Sequence, residues 1–179
     1  MSHSRIAVLL AATVLSSGGA AAQTVVARAD TAVKRPHAIE YSDFYYTRLK
    51  IHKIGAITML PLLAGEYALG DNLLRVANPP GWVKGAHGGV AGSLAVVAGI
   101  NTVTGAWNLW DSRHDTHGRL RKYLHVALLV GSDVGFAWAG ASAEDAHDSP
   151  AAAKNHRDIA LGAIGLDVVG TVMMWLWKD

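Results

Sequence analysis

The sequence predicts an all-α membrane protein, a transmembrane four-helix up-down bundle preceded by a cleavable signal peptide. Three observations carry that prediction. Four long apolar segments recur along the chain. The connections between them are short and built from turn-forming residues. The first 22 residues have the layout of an export leader.

Composition sets the outer limits. The chain has 179 residues, 51% of them hydrophobic, with a mean hydropathy of +0.21. That length fits one domain. The formal net charge is +2 and no basic run forms a nucleic-acid patch, so a nucleic-acid partner is not expected. Cysteine is absent, which removes disulfides, thiolate metal sites, iron–sulfur clusters and thiol catalysis together. Nine histidines remain as the plentiful soft-metal ligands.

The leader comes first. Residues 1–22 place Arg5 before an apolar run from Ile6 to Leu15, then end in Ala20-Ala21-Ala22. A positive start, a short apolar centre and a small-residue site predict cleavage after Ala22. The run is shorter than the roughly 20 residues a membrane span needs. Residues 23–40 are polar, carry Pro36, and read as a mobile lead-in to a transmembrane domain at 41–179.

The apolar segments are 51–70, 87–110, 119–143 and 159–177. At a rise of about 1.5 Å per residue, each approaches or exceeds the hydrocarbon thickness of a bilayer. Their apolar residues surround each helix with little stripe, which argues against a water-soluble bundle. Trp107, Trp110, Trp175 and Trp177 fall at segment ends, where interfacial aromatic belts form. "NPPGW" at 78–82 reads as a turn. Ser149 followed by Pro150 reads as a helix cap and first position, so the fourth helix starts well before its apolar part. Thr116 is the expected cap of the third helix, and residues 41–50 an amphipathic start to the first. Short connections make consecutive helices antiparallel neighbours.

Each helix carries one histidine near its own N-terminal end: His52, His87, His125 and His156. Antiparallel neighbours start on alternate membrane faces. The starts of helices one and three therefore share one depth, and those of two and four the other. In a square of four helices these are diagonal partners, so His52 is expected to face His125 and His87 to face His156. Two imidazoles across an apolar core are the axial set of a b-type haem, so the expected cofactor is two such haems with these four residues as iron ligands. Glycines near the ligands, from Gly55 to Gly165, offer slots for a flat macrocycle. Glycine at small-xxx-small spacing, as in Gly88–Gly92 and Gly131–Gly135, equally serves close helix packing.

The stretches "RLKIHKIG", "AHGGVAGSLAVVAGINTVTGAW", "RLRKYLHVALLVG" and "NHRDIALGAIG", within residues 45 to 177, resemble the cytochrome b561 family of di-haem membrane cytochromes. The resemblance implies the same ligand pairing and an electron-transfer protein or oxidoreductase subunit. It implies a quinone or small reductant as donor and a redox protein as partner. The helices that flank the core in larger members have no counterpart here.

Ionisable residues inside apolar segments need a reason, because they are costly at membrane depth. Asp133 and Asp167 are candidates for carrying a proton or for hydrogen-bonding the ligands; interhelical hydrogen bonds that fix register would explain them equally. Glu66 is expected to reach the far interface. Met59, Met173 and Met174 read as packing residues. The expected location is the cytoplasmic (inner) membrane of a bacterium, with several spans. The leader puts the mature N-terminus in the periplasm, whereas the cations, eleven on the N-terminal side against four on the other, favour the opposite orientation. Two further functions fit the same residues: a haem-free membrane assembly or interaction subunit, and a divalent-metal transporter.

Overall fold

The computed structural model describes residues 39–177, so the expected signal peptide and most of the expected lead-in lie outside the described residues. Four long helices account for nearly all of it: α1 (Asp43–Arg75), α2 (Gly81–Asp111), α3 (Arg119–Ala141) and α4 (Pro150–Leu176). A single short 3₁₀ turn, Asp145–His147, interrupts the last connection, and no strand occurs among the described residues.

Local chemistry sets the helix ends. Ser42 opens α1, its Oγ accepting from the Tyr45 N–H at 3.2 Å. Ser149 opens α4 in the same way, accepting from Ala152 at 3.1 Å with Pro150 at the first position. The Asn78-Pro79-Pro80 turn ends at Gly81, so α2 begins one and a half turns earlier than its apolar run. Thr116 does not cap α3. The chain instead reverses at Gly118, which takes a left-handed φ of 60°, and Asp115 Oδ1 accepts the His117 N–H at 2.9 Å.

Three of the four helices, α2, α3 and α4, are long and apolar enough to cross a membrane. α1 falls short of that standard because Lys53 and Glu66 bracket a charge-free middle of only 54–65. The distribution of residues is inside-out for a water-soluble protein. Buried positions include Arg48, Asn101, Asn108, Ser132 and Asp167, while large apolar side chains such as Ile57, Val96, Val103, Val134 and Val169 stand exposed. An outer surface of this kind suits lipid contact. Trp82 and Trp138 are exposed toward one end of the bundle, and Trp107, Trp110 and Trp175 toward the other.

The four helices form an up-down bundle assembled as two close hairpins, α1 with α2 and α3 with α4, touching each other less. Small residues allow the close approaches. A Cβ at Gly135 would meet Ala163 Cβ at 2.9 Å, and one at Gly170 would run into Leu129 Cδ2. Ser132 Oγ donates to the Ala163 carbonyl at 2.8 Å in the same seam. In the other hairpin Asn101 docks over Gly55; with its amide turned so that the nitrogen faces the His52 carbonyl, it donates there at 3.2 Å and accepts from the Ala56 N–H at 3.0 Å. Gly88, Gly89 and Gly92 meet nothing within 4 Å, so that part of the packing expectation does not hold. Met59, Leu63 and Leu94 form the apolar core at mid-depth.

Candidate functional site

The fold brings the four helix-start histidines together as two diagonal pairs. The His52 and His125 ring centroids lie 6.0 Å apart, and those of His87 and His156 lie 6.4 Å apart. Two imidazoles on opposite sides of one metal, each at about 2.0 Å, would have their ring centres about 6.3 Å apart. Both pairs have the spacing needed to share a metal ion.

Three of the four rings are fixed through Nδ1 by a hydrogen bond to the hairpin partner. His52 contacts the Asn101 carbonyl at 3.1 Å, His125 the Gly170 carbonyl at 2.8 Å, and His156 the Ala139 carbonyl at 2.9 Å. A carbonyl can only accept, so Nδ1 carries the hydrogen and the lone pair of the neutral ring falls on Nε2. An anchored Nδ1–H with a free Nε2 is the usual arrangement of a metal-bound imidazole. His87 is different. Its Nδ1 lies 3.1 Å from Glu66 Oε1, close to a carboxylate, though without the alignment of a full hydrogen bond.

A register repeats through all four contacts. Glu66 follows His52 by 14 residues, Asn101 follows His87 by 14, Ala139 follows His125 by 14, and Gly170 follows His156 by 14. Fourteen residues advance about 21 Å and return to nearly the same helix face. Every helix thus holds a ligand candidate in one layer and the anchor for its neighbour's ligand in the other. Hydroxyls add to two anchors: Thr104 and Ser142, each 17 residues beyond a histidine, lie 3.4 Å from Nδ1 of His52 and His156. Glycines clear space for two rings, since a Cβ at Gly105 would stand 3.0 Å from His52 Cε1 and one at Gly70 3.3 Å from His87 Cε1.

Around the first pair, a cavity of about 300 Å³ opens between the hairpins and is lined from all four helices. Tyr45, Asn108, Ser112 and Lys122 line it toward the α1 and α3 starts, and Met59, Asp133 and Asp167 line its deeper part. Asn108 is 7% exposed, and its Nδ2 has no hydrogen-bond partner. An orphaned buried donor is costly, and an acceptor group placed in the cavity would satisfy it. The Asn108 Oδ1 is used by Arg48 Nε at 3.2 Å; Arg48 also pairs with Asp111 and stacks on Trp107 at 4.8 Å.

The aspartates divide. Asp133 accepts from Thr102 at 2.6 Å, linking α3 to α2 across the gap between hairpins. Asp167 is 2% exposed, and its nearest partner is Thr171 of its own helix at 3.4 Å. Just outside the bundle, Tyr41, Asp115 and Lys122 form a polar clasp. Lys122 and the His117 N–H hold the Asp115 carboxyl down at about 2, and burial followed by the Asp115 charge pushes the Tyr41 phenol up to about 12.

Sequence reasoning singled out the four imidazoles but not the contact each makes through Nδ1. Glu66 was expected at the far interface and instead lies against His87. Arg48 and Asn108 did not stand out in the sequence at all. The 14-residue spacing is the signal that ties Glu66 and the Asn101 carbonyl to particular imidazoles. Among the described residues, no three His, Cys, Asp or Glu side chains gather to hold a bare metal ion. A scan against protein-family models and searches of curated proteins and of solved structures returned no match to this chain.

Proposed function

We propose that this chain is a small membrane cytochrome that passes electrons through two b-type haems, one gripped by His52 and His125 and the other by His87 and His156. The observation that carries the reading is the pair of crossed imidazole contacts at 6.0 and 6.4 Å. Bound haem supplies one-electron exchange between the ferric and ferrous states of its iron. The protein supplies the rest. Its backbone carbonyls hold three rings in the tautomer that presents Nε2. Asn108 Nδ2 and Lys122 offer donors to the acidic side groups of a porphyrin seated in the cavity. Asp133 serves mainly to tie α2 to α3. Asp167 is placed to hold a proton beside the cavity.

All four helices cross the membrane in this reading, α1 included, because its two ends carry a ligand candidate and an anchor about 21 Å apart. In this reading the expected leader directs the chain to a bacterial inner membrane with the mature N-terminus in the periplasm, against the orientation the cations favour. A quinone or small reductant delivers electrons, and a redox protein accepts them. The resemblance to the cytochrome b561 family supports the same assignment.

The visible spectrum of the full chain, purified in detergent and reduced with dithionite, tests the proposal. A sharp α-band and two haems per chain are expected. His125→Ala and His87→Ala should each remove one haem and spare the other. A colourless protein would overturn the proposal and leave the assembly-subunit and metal-transporter readings standing.

A further inference from the structure

Three of the four anchored imidazoles rest on neutral backbone carbonyls, and one rests on a carboxylate. At the fourteenth position after its histidine, α1 alone presents an acid, so Glu66 Oε1 lies 3.1 Å from His87 Nδ1. Glu66 Oε2 is buried and has no hydrogen-bond partner. No cation of the described residues pairs with it: Arg75 is engaged by Asp71 at 2.6 Å and Lys154 by Asp158 at 2.5 Å. The charge of Glu66 is therefore directed at one imidazole. Costly placement of an acid at this depth calls for a use.

The rest of the molecule has the same polarity. Residues 39–53 and 111–122, at the His52/His125 end, carry seven cations and four anions. Residues 66–84 and 144–158, at the His87/His156 end, carry four cations and six anions. A carboxylate on the far nitrogen makes an imidazole a stronger donor to its metal, and negative surroundings favour the more highly charged ferric iron. Cationic surroundings do the reverse.

Resting on the di-haem reading above, we infer that Glu66 makes the His87/His156 site the lower-potential of the two and so directs electrons toward the basic, His52/His125 end. With haem held at both sites, the His87/His156 iron would be oxidised from ferrous to ferric and the His52/His125 iron reduced from ferric to ferrous by the same single electron, with no proton or group moving. Glu66 acts through His87 as a positioning and tuning residue.

A redox titration of the full chain in detergent, followed at the α-band, tests this. The wild type should titrate as two components. His125→Ala should retain only the lower one. Glu66→Gln, which keeps the shape and removes the charge, should raise that component about tenfold in reduced-to-oxidised ratio, about 59 mV for one electron, and leave the other in place. Glu66→Asp should keep it low. If Glu66→Gln fails to retain haem, the comparison of wild type with His125→Ala decides. Retention of the higher component by His125→Ala, or an equal shift of both components in Glu66→Gln, would overturn the inference. A protein without haem would sink the functional reading itself, a result these titrations cannot mimic.

Discussion

Single contacts position the rings, so single atoms should disturb them. Gly105 faces His52 closely enough that an added methyl would sit 3.0 Å from Cε1 and 3.3 Å from Nδ1. The ring cannot swing away without giving up the Asn101 carbonyl. Gly105→Ala is therefore expected to lower haem content from two toward one, measured by haem extraction, with the His87/His156 site intact. The clasp outside the membrane responds to pH. Asp115 has its carboxyl held at about 2, below the ordinary value near 4, so its contribution to stability is complete above about pH 4 and is lost as pH falls through about 2. Lys122→Met removes the main cause of that depression. The difference in thermal stability between wild type and Lys122→Met, read by circular dichroism, should be constant above pH 4 and vanish by about pH 2. For Tyr41 the sign is opposite: its raised phenol stabilises the fold below about pH 10, and that contribution is lost as pH rises through about 12.

At the scale of the element, the two hairpins are held by small residues and buried polar contacts more than by apolar volume. The α3–α4 seam has Gly135 against Ala163 and Ser132 bonded to the Ala163 carbonyl. Gly135→Ala should overpack this seam and cost about 1–3 kcal/mol. Gly92→Ala provides the contrast, since nothing lies within 4 Å of its added methyl and alanine is the better helix former by about 1 kcal/mol. Thermal unfolding of both variants in detergent should show destabilisation for the first and none for the second. The helices themselves were largely legible. The apolar runs located α2, α3 and α4, and Ser149-Pro150 marked the start of α4 to the residue. The start of α3 was not legible, because Thr116 looks like a cap by type and the left-handed turn at Gly118 depends on the Asp115 contact. By its apolar run α1 reads as a span like the others, yet it falls short of their apolarity. Its charged residues face neighbours that composition cannot identify, with Arg48 on Asn108 and Asp111, and Glu66 on His87.

Across the whole molecule, the two layers and the gap between hairpins are a single design. A bundle with four equal seams would close on itself. Here the strong seams run within each hairpin, and the cavity opens between them, beside His52 and His125. The charge gradient from one end to the other is superimposed on that frame. Together these features tie the proposed cofactor sites, their spacing of about 21 Å and the unequal potentials inferred for them to one repeated register.

The sequence by itself determined the helical class, the apolar exterior and the choice of four histidines, because each depends on residue type and on spacing along one helix. Alternating chain direction even made the diagonal pairing foreseeable. Only the tertiary structure decided what holds each ring, which carboxylate lies against an imidazole and where an unpaired donor faces a cavity. Those depend on the sliding and rotation of one helix against another, and two or three close approaches of glycine and asparagine set them.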